Sequence, residues 1–174
     1  MSMSSVRGDG QSAGTVAVRR LTAAEWRQLR AARLAALAEA PYAFASTLSR
    51  EQQFTEETWR ERAGSGRTVA AWQGTAIVGL ATGFPEQTGT GWHLVGMWVA
   101  PDSRGQGIAD RLVGAVCAMA REAGARSVTL WVTDANDHAR AFYRRLGFEP
   151  TGARQLVRPD EPDQWEDELR LDLS

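Results

Sequence analysis

The chain has 174 residues, enough for one domain with a real core and too few for a multidomain assembly. It is 43% hydrophobic and 24% charged, and its 20 Lys plus Arg against 21 Asp plus Glu leave a net charge of −1, so no general pull toward nucleic acid or an anionic membrane is expected. The single cysteine excludes an internal disulfide framework, and Cys117 with His93 and His138 is too small a set of soft ligands for a structural zinc site, so no metal is expected.

Residues 1–14, rich in Ser and Gly, lack the apolar middle of a secretory signal and read as a flexible leader. No apolar run reaches the length of a membrane-spanning helix, which makes the cytoplasm the default compartment and 15–174 the folded domain. Val16 and Val18 alternate with smaller or polar residues, predicting a first strand over 15–20. Thr22 and Glu25 have the spacing of a capping box, and Trp26, Leu29, Leu34 and Leu37 follow on a helical rhythm. A second helix is predicted from Thr55, with Glu56 and Glu57 complementing its dipole.

Two strands, 68–72 and 76–84, flank the hairpin composition Gln73-Gly74-Thr75, and a third runs over 92–99 until Pro101. The helix that follows carries Leu112, Val116, Met119 and Ala123 on one face and stops at Gly124. A strand over 127–132 leads to a short amphipathic helix with Ala139, Phe142, Tyr143 and Leu146 at i, i+3, i+4 and i+7. Two weaker strands, 151–157 and 168–173, close the chain around an acidic connector. This order predicts one α/β domain with a mixed sheet.

The most informative local feature is the segment Arg104-Gly105-Gln106-Gly107-Ile108-Ala109, which follows a strand and opens a helix. Glycines let backbone amides approach an anion, the helix start offers unpaired N–H groups, and Arg104 adds a guanidinium for phosphate oxygens. A nucleotide P-loop would need a Gly-Lys-Ser/Thr ending, which is missing, and a dinucleotide fingerprint fails because Asp110 stands at its third glycine. The remaining alternatives are a diphosphate cradle of another kind and a plain helix entry loosened by two glycines.

Together with Asn136, Ala139, Phe142, Tyr143, Leu146, Gly147 and Phe148, the turn resembles the GCN5-related N-acetyltransferase family. Arg104, Gly107 and Ala109 meet its arginine/glutamine-x-x-glycine-x-glycine/alanine pattern, and Asn136 and Tyr143 fit its second acetyl-CoA element. The resemblance spans roughly 16–173. The stretch from Pro41 to Phe44, leading to Glu51, also looks like members labelled as general or ribosomal-protein acetyltransferases.

The resemblance implies a mostly antiparallel sheet flanked by helices, with a splayed pair of parallel strands that holds acetyl-CoA. Met97, Trp98 and Val99 would bind the pantetheine through the main chain, residues 104–109 the diphosphate, and Asn136 the cofactor through its amide. The chemistry implied is direct transfer of acetyl to a primary amine of a small molecule, protein or peptide, with a backbone N–H near Trp98 or Val99 stabilising the oxyanion and Tyr143 serving the leaving sulfur. The residues do not identify the base: Glu51, His93 and a water chain stand as alternatives, as do basic and carboxylate-bearing acceptors. Homodimerisation is compatible with the resemblance. The rival expectation is an acyl-CoA-binding sensor or interaction module without turnover.

Overall fold

The computed structural model describes residues 15–87 and 89–174, so the expected leader lies outside the described residues. In chain order the elements are β1 Ala17–Arg20, α1 Trp26–Glu39, α2 Leu48–Gln52, α3 Glu56–Gly64, β2 Thr68–Gln73, β3 Ala76–Pro85, β4 Gly91–Val99, α4 Ile108–Glu122, β5 Ser127–Thr133, α5 Asp137–Arg145, β6 Glu149–Leu156 and β7 Trp165–Asp172. Short 3-10 turns at Ala23–Glu25, Pro41–Ala43 and Pro101–Ser103 join them. The strands form one sheet in the order β1-β2-β3-β4-β5-β7-β6.

Every neighbouring pair is antiparallel except β4 and β5. Those two meet only at their bases, where Gly91, Trp92 and His93 pair with Ser127, Val128 and Thr129. Beyond His93 the strands part. One cause lies in β4: Trp98 pairs with Leu80 and Val95 with Thr82, so β4 carries one residue more than β3 over that interval. Gly96, at φ +63°, supplies the left-handed conformation of this bulge, which bends the strand and adds twist. The expected splayed parallel pair is therefore present.

Each face of the sheet is covered differently. On one face the apolar stripe of α4, through Leu112, Val113 and Val116, packs on Val69, Ala81 and Leu94, joined by Tyr143 and Phe148 from around α5. On the other face α1 and α3 bury Leu29, Leu37 and Trp59 against Ala70, Trp72, Leu80 and Trp98. Arg33 of α1 and Arg62 of α3 both bond Glu51, which is 1% exposed and anchors α2 between them.

Two expectations need correction. The acidic connector is shorter than its composition suggested, because β7 begins at Trp165 and the charged run from Glu166 to Glu168 is strand. β6 begins at Glu149 rather than Thr151, and Pro150 is tolerated because β6 is an edge strand. The five-residue α2 has no counterpart in the sequence reading. Cys117 is buried, and that burial pushes its thiol above the ordinary value, which disfavours the reactive thiolate.

Candidate active site

The parting of β4 and β5 opens a cavity of about 910 Å³, walled by both strands, the turn into α4, one side of α5, and the segment after α1 that holds Tyr42 and Phe44. Met97, Trp98, Val99, Arg104, Gly105, Gly107, Ile108, Ala109, Asn136 and Tyr143 all line it; Gln106 does not. Ten residues separated by up to 46 positions in the chain are thus gathered by one topological device, the split strand pair.

Backbone direction in β4 gives the cavity its polar lining. Ala100 donates its N–H to Val78 of β3, and successive residues of a strand turn their backbone groups to opposite sides, so Val99 presents its own toward the opening. The Val99 carbonyl accepts from Arg104 Nε at 3.0 Å.

At the start of α4, Gly105 and Gly107 have φ of +75° and +72°, a region costly for residues with a Cβ. A Cβ built on either glycine meets no atom within 4 Å, so the space in front of this turn is open rather than filled by protein. Gly107 is the N-cap of α4, and no side chain caps the helix. The exposed amides of the first turn suit an anion. Asp110 also lines the cavity, but Arg145 bonds it at 2.9 Å and holds its carboxyl below the ordinary value, which offsets the negative charge at this spot. A diphosphate fits this arrangement of open amides, helix start and paired acid.

Arg104 is less free than its sequence context suggested. Besides the Val99 carbonyl, its guanidinium bonds Glu39 Oε2 at 2.8 Å, and the same oxygen accepts from Trp98 Nε1 at 3.1 Å. Glu39 is the last residue of α1, so this contact links the turn to the segment that holds Tyr42 and Phe44.

Asn136 caps α5, its Oδ1 accepting from the Ala139 N–H at 3.0 Å. That bond leaves the amide nitrogen of the side chain for another partner. Tyr143 is 6% exposed and sits edge-on between Phe142 and Phe148, with ring centroids 5.0 and 5.6 Å away. Burial pushes its phenol above the ordinary value, so the hydroxyl keeps its proton and is available to donate. Its hydroxyl has no hydrogen-bond partner among the described residues.

Neither named candidate for a base lines the cavity. Glu51 feels burial, which raises its carboxyl, yet the bonds and charges of Arg33 and Arg62 outweigh that and hold it below the ordinary value. His93 lies at the paired base of the strands, its Nδ1 2.7 Å from Thr129 Oγ1 and its ring tilted against that of Phe84 at 5.5 Å. Thr133, Trp131 and Arg145 do line the cavity and had no place in the sequence reading. Strand alternation around the buried Leu130 and Val132 was the available signal for Trp131 and Thr133.

Residues 12–148 match the Acetyltransferase (GNAT) family. Over 53 residues the chain is 45% identical to the uncharacterized N-acetyltransferase MJ1207 of Methanocaldococcus jannaschii, a stretch that is 30% of this chain and 24% of that one. Over 67 residues it is 34% identical to the peptidyl-lysine N-acetyltransferase YjaB of Salmonella typhimurium, covering 38% of this chain and 43% of the relative. The matches thus span less than half of either relative. The structure of yncA from Salmonella typhimurium, which contains its cofactor acetyl-CoA, superposes with a TM-score of 0.74 at 15% identity, covering 92% of this chain and 95% of that one.

Proposed function

The chain belongs to the GNAT acetyltransferase family, and on that premise we propose that it transfers acetyl directly from acetyl-CoA to a primary amine of a small molecule, protein or peptide. The observation that carries this reading is the convergence on one cavity of the split β4–β5 pair, the open glycine turn at the start of α4, and Tyr143. Bound acetyl-CoA would supply an activated thioester carbonyl. The protein's own groups divide the remaining work. The first-turn amides of α4 hold the diphosphate, and the outward-facing backbone of β4 pairs with the amide-bearing arm as a neighbouring strand would.

The Val99 N–H, turned to the opening, stabilises charge that develops on the carbonyl oxygen, a contribution on the order of 3 kcal/mol for one well-aimed donor. Tyr143 gives a hydrogen bond or its proton to the departing sulfur. The attacking amine must lose a proton, and with Glu51 held by two arginines and His93 outside the cavity, water at the cavity mouth is its acceptor.

The test incubates the protein with acetyl-CoA and a panel of amines, and measures free CoA thiol together with acetylated product. Amine-dependent release of both is expected. Binding of acetyl-CoA without turnover across small-molecule and peptide panels would favour the second reading, a non-catalytic acyl-CoA sensor. That reading draws on the position of Glu51 and His93 away from the cavity.

A further inference from the structure

The face of the sheet that α1 and α3 cover further along is met at β5 by the short turn Pro41–Ala43. Leu130, Val132 and Leu169 point into the opposite core, so alternation turns Trp131, Thr133, Glu166 and Glu168 to this face. Register makes them two cross-strand pairs: Trp131 opposite Glu168 and Thr133 opposite Glu166. Trp131 and Thr133 line the cavity, as does Val95 of β4, which is 40% exposed. The two glutamates therefore stand one strand beyond the cavity wall.

Neither glutamate has a cationic partner among the described residues. Glu166 accepts a bond from Gln155 at 2.8 Å, and Glu168 one from the Thr151 hydroxyl at 2.8 Å. The nearby arginines are committed elsewhere: Arg140 and Arg154 to Asp134 and Asp167, Arg158 to Glu161, and Arg170 to Asp172. Glu166 is partly buried, and that burial raises its carboxyl against the lowering bond from Gln155. A half-buried carboxylate with no counter-charge gains from a cation.

An independent sign of a ligand comes from Thr133. It is 9% exposed, its Oγ1 is buried without a hydrogen-bond partner among the described residues, and it stands between the cavity and Glu166. A native hydroxyl in that state is waiting for a polar group. Trp131 beside it offers an aromatic face, to which an ammonium or guanidinium is attracted.

We infer that Trp131, Thr133, Glu166 and Glu168 form an acceptor subsite for a second positive charge, so that the preferred acceptor is an extended amine bearing a remote ammonium or guanidinium. This rests on the acetyl-transfer reading above. β7 pairs directly with β5, so the two glutamates stand about one strand spacing, about 5 Å, beyond the β5 wall of the cavity. An aliphatic polyamine and a peptide with a basic residue beside its reactive lysine share this chemistry. Arg33, whose Nη1 lies 3.4 Å from a Cβ built on Gly96, is the cation nearest the bulge, and its charge is matched by Glu51.

The experiment compares a chain-length series of α,ω-diaminoalkanes with the matching monoamines, and lysine peptides with and without a neighbouring basic residue. Each is run on the full chain, on Glu166→Gln, and on the double variant Glu166→Gln/Glu168→Gln. The expected result is a length optimum at which the dication exceeds the monoamine in kcat/KM about tenfold. In the double variant that ratio collapses toward one through KM, and calorimetric affinity for acetyl-CoA shows that the variant is folded. Whether the diamine arm or the peptide arm carries the larger preference identifies the source of the charge.

Turnover of monoamines with no dication preference at any length overturns the subsite and leaves the transferase reading standing. No turnover with any amine, while calorimetry detects a diamine whose binding the double variant loses, overturns the transferase reading and supports the subsite. Neither turnover nor diamine binding overturns the subsite.

Discussion

Glu39 holds Arg104 against the end of β4: its Oε2 accepts from Arg104 Nη2 at 2.8 Å and, from the strand itself, Trp98 Nε1 at 3.1 Å. A diphosphate at the start of α4 must compete with this carboxylate for the guanidinium. Glu39→Gln removes the competing charge while keeping an acceptor for Trp98. Affinity for acetyl-CoA is expected to rise about twofold to fivefold, the scale of a half-exposed ion pair. Unaltered affinity by calorimetry would mean that Arg104 stays with α1 and the phosphates are held by amides alone.

Tyr143→Phe removes one hydroxyl from a buried ring and leaves the edge-on packing with Phe142 and Phe148 in place. We expect kcat to fall about tenfold to a hundredfold, with affinity for acetyl-CoA largely retained. Full turnover would remove the phenol from the chemistry.

Gly107 combines a φ of +72° with open space where a Cβ would stand, so two substitutions separate backbone from charge. Gly107→Ala meets only the left-handed penalty, about 1 to 2 kcal/mol of stability. Gly107→Asp adds a carboxylate at the proposed diphosphate cradle and should weaken acetyl-CoA binding at least about tenfold beyond the alanine variant. Equal affinities for the two variants would move the diphosphate away from this turn.

Acid stability draws on the carboxyls held below their ordinary values: Glu25 and Glu51, ordinarily 4.5, and Asp110 and Asp167, ordinarily 3.8. For Glu25 the bond from Arg19 is the main cause and brings it to about 2; for Glu51 the pull of Arg33 and Arg62 overcomes burial. The stability such groups contribute is whole above their unfolded-state value and drains as pH falls through the folded one. Thermal unfolding should therefore move to lower temperature as pH drops below 4.5, with the Glu25 share lost by about 2. At neutral pH, Glu51→Gln leaves Arg33 buried without its partner and should cost about 3 to 5 kcal/mol in denaturant unfolding. A loss below about 1 kcal/mol would show that the pair is solvated.

Much of this architecture is legible where periodicity is strong or glycine is obligatory. The stripe Leu112, Val116 and Met119 faces the sheet as its spacing requires, and the turn at 104–109 stands between a strand and a helix as its residues demand. Gly96 carried a readable signal as well, since an isolated glycine in an apolar strand marks a bulge. The acidic start of β7 carries no strand signal because both of its faces are charged: Glu166 and Glu168 share the face of Trp131 and Thr133, and Asp167 faces Arg140 and Arg154. Alternation without an apolar face leaves no mark in composition. The tie of Arg33 to Glu51 across 18 residues, and that of Arg104 to Glu39 across 65, depend on how helices settle on the sheet, which no local pattern encodes.

The three-residue contact between β4 and β5 leaves two strand borders facing each other inside one molecule with their ladder unfinished. Such borders invite any extended chain to dock, including that of a second molecule. Preparations made without thioester should then be the sticky ones, and stocks kept saturated with it the ones that stay clear on concentration.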